Sequence, residues 1–145
     1  MDPEFQLLVR LLVAAALAGL LGWERESAHK AAGLRTHMLV GIAAALYTSI
    51  GQLAAMDIPA GSARYQADPI RAIQAVAVGI GFLGSGVIFM SRTEDRVLGL
   101  TTAASVWATA AIGIAAGLAH YILAVGATIL LLFVLRVLAR FDRSD

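Results

Sequence analysis

Five long apolar runs separated by polar stretches make up nearly the whole chain: Leu7–Trp23, His37–Met56, Ile70–Met90, Leu100–Ala119 and Tyr121–Leu138. Each reaches or approaches the roughly 17–25 residues that cross a bilayer core as a helix. Runs of this length in so short a chain cannot close a barrel, so all five are predicted as helices. The fourth and fifth are separated only by the tight turn in "GLAHY", which predicts an antiparallel hairpin. The second and third are joined by "DIPAGSARYQADP", with Pro59, Gly61 and Pro69 as breakers. The pattern gives an all-α integral membrane fold: one five-helix domain over residues 6–139, then a tail at 140–145. Residues 1–5, "MDPEF", read as a remnant of cloning outside the fold.

Composition supports this class. The chain is 59% hydrophobic and 14% charged, with a mean hydropathy of +0.79, whereas about a quarter of the residues in a soluble domain are charged. A cleaved signal peptide is rejected, because the chain stays apolar to its end. The 11 basic residues are unevenly placed. Arg25, Lys30, Arg35, Arg92, Arg96, Arg136, Arg140 and Arg143 fall on one side of the membrane, and Arg10, Arg64 and Arg71 on the other. The positive-inside rule then sets the N-terminus outside and the C-terminus in the cytoplasm.

The two cytoplasmic hairpins align with each other. "GLLG" at 19–22 matches "GFLG" at 81–84, and "GLRTHMLVGIAAALYTSIG" matches "GLTTAASVWATAAIGIAAG" with Gly33/Gly99, Leu34/Leu100, Thr36/Thr102 and Val40/Val106 among the identical pairs. Both run the same way, so this is a parallel repeat about an axis along the membrane normal, followed by the fifth helix. In each copy the glycine suits a turn, and Thr36 or Thr102 is placed to cap the next helix.

Two positive helix ends beside Arg25, Lys30, Arg35, Arg92 and Arg96 favour anions or a partner's carboxylates. The same residues also serve as ordinary caps and topology-setting charges. Glu24 and Arg25 follow Trp23 directly and read as a salt pair at the membrane boundary, networked with Arg35 and partly reached by water. Glu26 and Lys30, spaced i,i+4, brace a helical extension. Glu24, Arg25, Arg35, Thr36, Thr101 and Thr102 are the candidate partner- or ligand-binding residues.

Four glycines, Gly79, Gly81, Gly84 and Gly86, crowd the third run. They predict a helix squeezed between neighbours on both sides, or a weak helix lining a path. Gly113 and Gly117 form a GxxxG contact on the fourth. The small-residue faces also suggest a homodimer. Thr48, Ser49, Ser85, Ser105 and Thr109 could line a polar path, yet no Asp or Glu lies in the middle of any span, where coupled carriers keep one. There is no cysteine, and the three histidines lack ligand spacing, so no metal site or cofactor is expected. No nucleophile–base pair, phosphate loop or acid–base dyad points to an enzyme, and no nucleic-acid partner is expected.

"GLLGWERESAHKAAGLRTHMLVGIAAAL", "DPIRAIQAVAVGIGFLGSGVIF" and "VLGLTTAASVWATAAIGIAAG" resemble, in order, the three signature blocks of the MgtC/SapB family of bacterial inner-membrane proteins. Glu24, Arg25, Gly33, Leu34, Arg35 and Thr36 match the first block. Gly79, Gly81, Phe82, Leu83, Gly84 and Gly86 match the second, and Gly99, Leu100, Thr102, Ala103, Ala104 and Trp107 the third. The resemblance implies about five membrane helices, adaptation to low magnesium and survival inside host cells (virulence). Some members restrain the proton-driven ATP synthase, and some add an ACT-like cytoplasmic domain, which is not expected within these 145 residues. Leu98 stands where many members have Arg, and Thr101 where some have Asn, which weakens transfer of the ATP-synthase role. The expected function is therefore regulatory, through a membrane partner such as the ATP synthase or an anionic ligand at the cytoplasmic face. The alternative is a magnesium carrier with its path along the third helix.

Overall fold

The computed structural model describes residues 3–56, 69–90 and 98–138. Five helices span them: α1 (Pro3–Ser27), α2 (Leu34–Met56), α3 (Pro69–Met90), α4 (Leu100–Gly117) and α5 (Tyr121–Phe133), the last running into a π-helical turn at Val134–Leu138. All five are long and apolar enough to cross a membrane once that turn is counted with α5. The chain is an all-α multi-pass membrane protein. Arg64, Arg92, Arg96, Arg140 and Arg143, five of the 11 basic residues on which the sidedness rests, lie outside the described residues, as do Pro59, Gly61 and the tail.

Two helices begin on proline, Pro3 and Pro69, whose missing N–H and fixed φ suit a first helical position. Pro3, Glu4 and Phe5 are helical and run continuously into α1. Helices α1 and α4 end in the same way. Lys30 N–H bonds the Arg25 carbonyl and His29 N–H that of Glu26; His120 N–H bonds Ala115 and Ala119 N–H bonds Ala116. These are Schellman closures, built with His29 at φ 52° and Ala119 at φ 62° where glycine is usual. The second closure is the tight turn between α4 and α5.

Helix α4 is the centre of the bundle and packs against all four other helices. Of its residues 61% are buried, against 6% of the span of α3. Its small residues explain the difference. A Cβ on Gly117 would stand 2.6 Å from the Ala45 carbonyl oxygen, and one on Gly113 would overlap the Gly41 carbonyl. Gly41 itself lies against Ala14 and Ala18 of α1, so α1, α2 and α4 meet there backbone to backbone, as small residues allow in membranes. Around that contact sit Ala14, Leu21, Ala45, Ile112 and Ala116, with Val40, Ala44, Val106 and Ala110 alongside.

Helix α3 departs from expectation. Gly79, Gly81 and Gly86 each meet nothing within 4 Å, and of the four glycines Gly84 alone touches a neighbour, at Ala103 of α4. One face of α3 rests on α2 and α4, while Val78, Phe82 and Phe89 point away from the bundle at 74%, 80% and 79% exposure. It is not squeezed on two sides within the chain. In the first hairpin Gly22 packs on Leu34 and His37, and in the second Gly84 packs on Ala103, the residue aligned with His37.

Candidate functional site

The end of the bundle that carries the α1–α2 loop gathers the polar residues. Glu24 and Arg25, in the last turn of α1, are 7% and 2% exposed. They form a bidentate pair: Arg25 Nε donates to Glu24 Oε2, and Nη2 donates to Oε1 at 2.9 Å. A fork of this kind, removed from water, is held by geometry as well as charge. The expectation that water reaches the pair does not hold. Arg35 is exposed and shares no ion pair with it among the described residues. The three do not form one network, because Arg35 lies on the outer face of α2.

Glu26 has a different role from the one its spacing suggests. Helix α1 stops at Ser27, so Lys30 is outside any i,i+4 relation. The Glu26 carboxylate instead accepts from the Leu34 backbone N–H at 2.7 Å. It thus caps α2 with a charge that complements the helix dipole, and the free positive end expected there is already matched by the chain's own anion. Neither threonine caps a helix. The helices start at Leu34 and Leu100, with the Gly33 and Gly99 carbonyls accepting from His37 and Ala103, so Thr36 and Thr102 are third helical residues. Gly99 takes φ 82°, a turn that suits glycine. Thr36 and Thr101 are exposed, and Thr102 is buried.

His37 has no place in the motif reading, yet it links the two hairpins. Fully buried, its Nδ1 donates to the Gly33 carbonyl at 2.9 Å. A carbonyl accepts only, so Nδ1 carries the proton. Nε2 lies 3.2 Å from Ser105 Oγ on α4, and that hydroxyl also reaches the Thr102 carbonyl at 2.8 Å. The clue in the sequence is an imidazole one turn past Gly33, where the second copy has Ala103.

A second polar contact lies at the opposite end. Arg10 Nη1 donates to Gln52 Oε1 and to the Gly117 carbonyl, both at 2.9 Å, and Ser49 Oγ donates to the same carbonyl at 3.1 Å. The cation thus sits at the negative end of α4. The other candidate path hydroxyls are committed locally: Thr48 to Ala44, Ser85 to Gly81 and Thr109 to Ser105. Among the described residues no group of His, Asp and Glu is placed to hold a metal ion.

Fold and polar ends together define a small helical membrane protein with a charged loop face. The MgtC family model matches residues 11–144, and the chain belongs to the MgtC family. It is 38% identical over 137 residues to the Escherichia coli K12 protein named "Putative magnesium transporter YhiD", covering 94% of this chain and 61% of that one. Protein SapB of Bacillus subtilis is 33% identical over 120 residues, 83% of this chain and 50% of its own. Protein MgtC of Brucella abortus is 39% identical over 104 residues, 72% and 39% respectively. The chain thus spans about two fifths to three fifths of these relatives. No solved structure matches it.

Proposed function

We propose that this chain is the membrane domain of a regulatory inner-membrane protein serving adaptation to low magnesium. It acts by binding a membrane partner, or an anionic ligand, at the charged loop face. The observation that carries the reading is the contrast at that face. Glu24 and Arg25 satisfy each other in the interior, while Lys30, Arg35, Thr36 and Thr101 stand exposed around them. The interior pair positions the loop, and the exposed residues are available to a second molecule. The family relation supports the link to magnesium.

Arg35→Gln is expected to fold normally, because the side chain is exposed, and to abolish complementation of growth in low magnesium. Wild-type protein in liposomes is expected to pass no magnesium above empty vesicles. Growth unaffected by Arg35→Gln together with saturable magnesium uptake overturns the regulatory reading. The carrier reading draws on the name given to the Escherichia coli relative. Against it stand the path hydroxyls bonded to backbone carbonyls and the lack of a mid-span carboxylate to replace the ion's tightly held water.

The loop face lies in the cytoplasm in this proposal, on the positive-inside argument. A cysteine at Ala28 is expected to resist impermeant thiol reagents applied to intact cells, and one at His120, in the exposed α4–α5 turn, to react. The reverse pattern would place the face outside.

A further inference from the structure

An apolar groove of about 310 Å³ opens along the side of the bundle between α2 and α3. Val40, Ala44 and Tyr47 form one wall, and Ala72, Val76 and Gly79 the other. Both walls belong to spanning helices, so the groove faces hydrocarbon. From Ala72 to the last lining residue, Ile80, it runs about 12 Å at 1.5 Å per residue. Two polar groups stand along it, one beside its Ala72 end and one partway down. Arg71, next to Ala72 at the start of α3, is exposed and makes no ion pair or hydrogen bond among the described residues. Tyr47 is 65% exposed, and its hydroxyl has no partner among them. Gly51 packs on Ala72 and the helices are antiparallel, so Tyr47 is level with Val76, about 7.5 Å deeper than Arg71 by helical rise.

We propose that this groove binds a glycerophospholipid, its phosphate paired with Arg71, an ester carbonyl accepting from the Tyr47 hydroxyl, and an acyl chain lying past Val76 and Gly79. Phosphate, ester and hydrocarbon follow one another along such a lipid in the order in which the groove presents a cation, a hydroxyl donor and an apolar trough. A second copy's apolar helix in the same place would cover Tyr47 and leave its hydroxyl unpaired in hydrocarbon, which is costly. This proposal is independent of the partner-binding reading, because it concerns the opposite end of the bundle.

Native mass spectrometry of the purified protein in detergent, titrated with dioleoylphosphatidylglycerol, tests it. Wild type is expected to retain one tightly held lipid. Arg71→Gln should weaken that binding about tenfold, the loss of one charge-assisted hydrogen bond, and Tyr47→Phe more modestly. Dioleoylglycerol, which has no phosphate, should bind wild type and Arg71→Gln alike. Gly79→Leu adds a side chain into open space and should remove the tightly held lipid. Gly86→Leu, equally open but off the groove, should keep it. Equal lipid affinity in the two leucine variants overturns the proposal. So does a dimer that Gly79→Leu converts to monomer with the lipid count per chain unchanged, which would assign the groove to a second copy.

Discussion

Gly113→Leu is expected to destabilise the bundle strongly, whereas Gly81→Leu is expected to leave its stability unchanged. Any Cβ at residue 113 would overlap the Gly41 carbonyl and press on Ala44 at 3.0 Å. The obstacle is backbone, which no rotamer change removes. Inserting extra carbons into a filled site typically costs about 1–3 kcal/mol. Here the displaced surface is the three-helix contact on which α1 and α4 both depend, so the larger end of that range is expected. At Gly81 the new side chain meets nothing within 4 Å and projects from the bundle. Thermal unfolding in detergent, followed by the monodisperse fraction after heating, separates the two. A Gly113→Leu protein as heat-resistant as wild type would mean that α2 and α4 do not touch there.

The second large effect lies at the buried ion pair. Arg25→Met strands the Glu24 carboxylate in a site only 7% exposed, and breaking a buried pair on one side costs about 3–5 kcal/mol. Replacing both partners, as Glu24→Leu with Arg25→Met, should recover most of that loss, because paired apolar replacements of such sites are often neutral or better. Denaturant titrations of the two singles and the double close the cycle. If all three variants are equally stable, the pair is wet. If the double regains stability but fails to support growth in low magnesium, the pair positions the loop for binding instead of merely holding the fold.

Run length and turn residues placed all five helices, since a bilayer leaves a long apolar segment few alternatives. The starts of α2 and α4 were harder. Thr36 and Thr102 look like caps because threonine after a glycine turn usually is one, but Leu34 and Leu100 already have helical geometry. That shift of three residues, from Thr36 to Gly33 as the residue before the helix, puts Leu34 N–H in front of Glu26 and ends its pairing with Lys30. Glu24–Arg25 was readable from adjacency to Trp23. The His37–Ser105 link was not, for it depends on how far α4 is displaced along α2, and helical period reports only which face a residue occupies. The glycines of α3 misled for a related reason. A small residue permits close approach without saying that a neighbour is there, as Gly79, Gly81 and Gly86 show.

The central place of α4 has a consequence for biogenesis. Arg10 and Ser49 donate to the Gly117 carbonyl and His37 meets Ser105, at separations of 107, 68 and 68 residues. Ribosomes add about 5–20 residues each second. The first two helices therefore wait about 3–14 s for Ser105 and Arg10 about 5–21 s for Gly117, with polar side chains already committed to the membrane. Until α4 arrives, the nascent first hairpin is an unfinished product, and the insertion machinery must shelter its arginine and imidazole from lipid. The bundle closes late, on its penultimate helix.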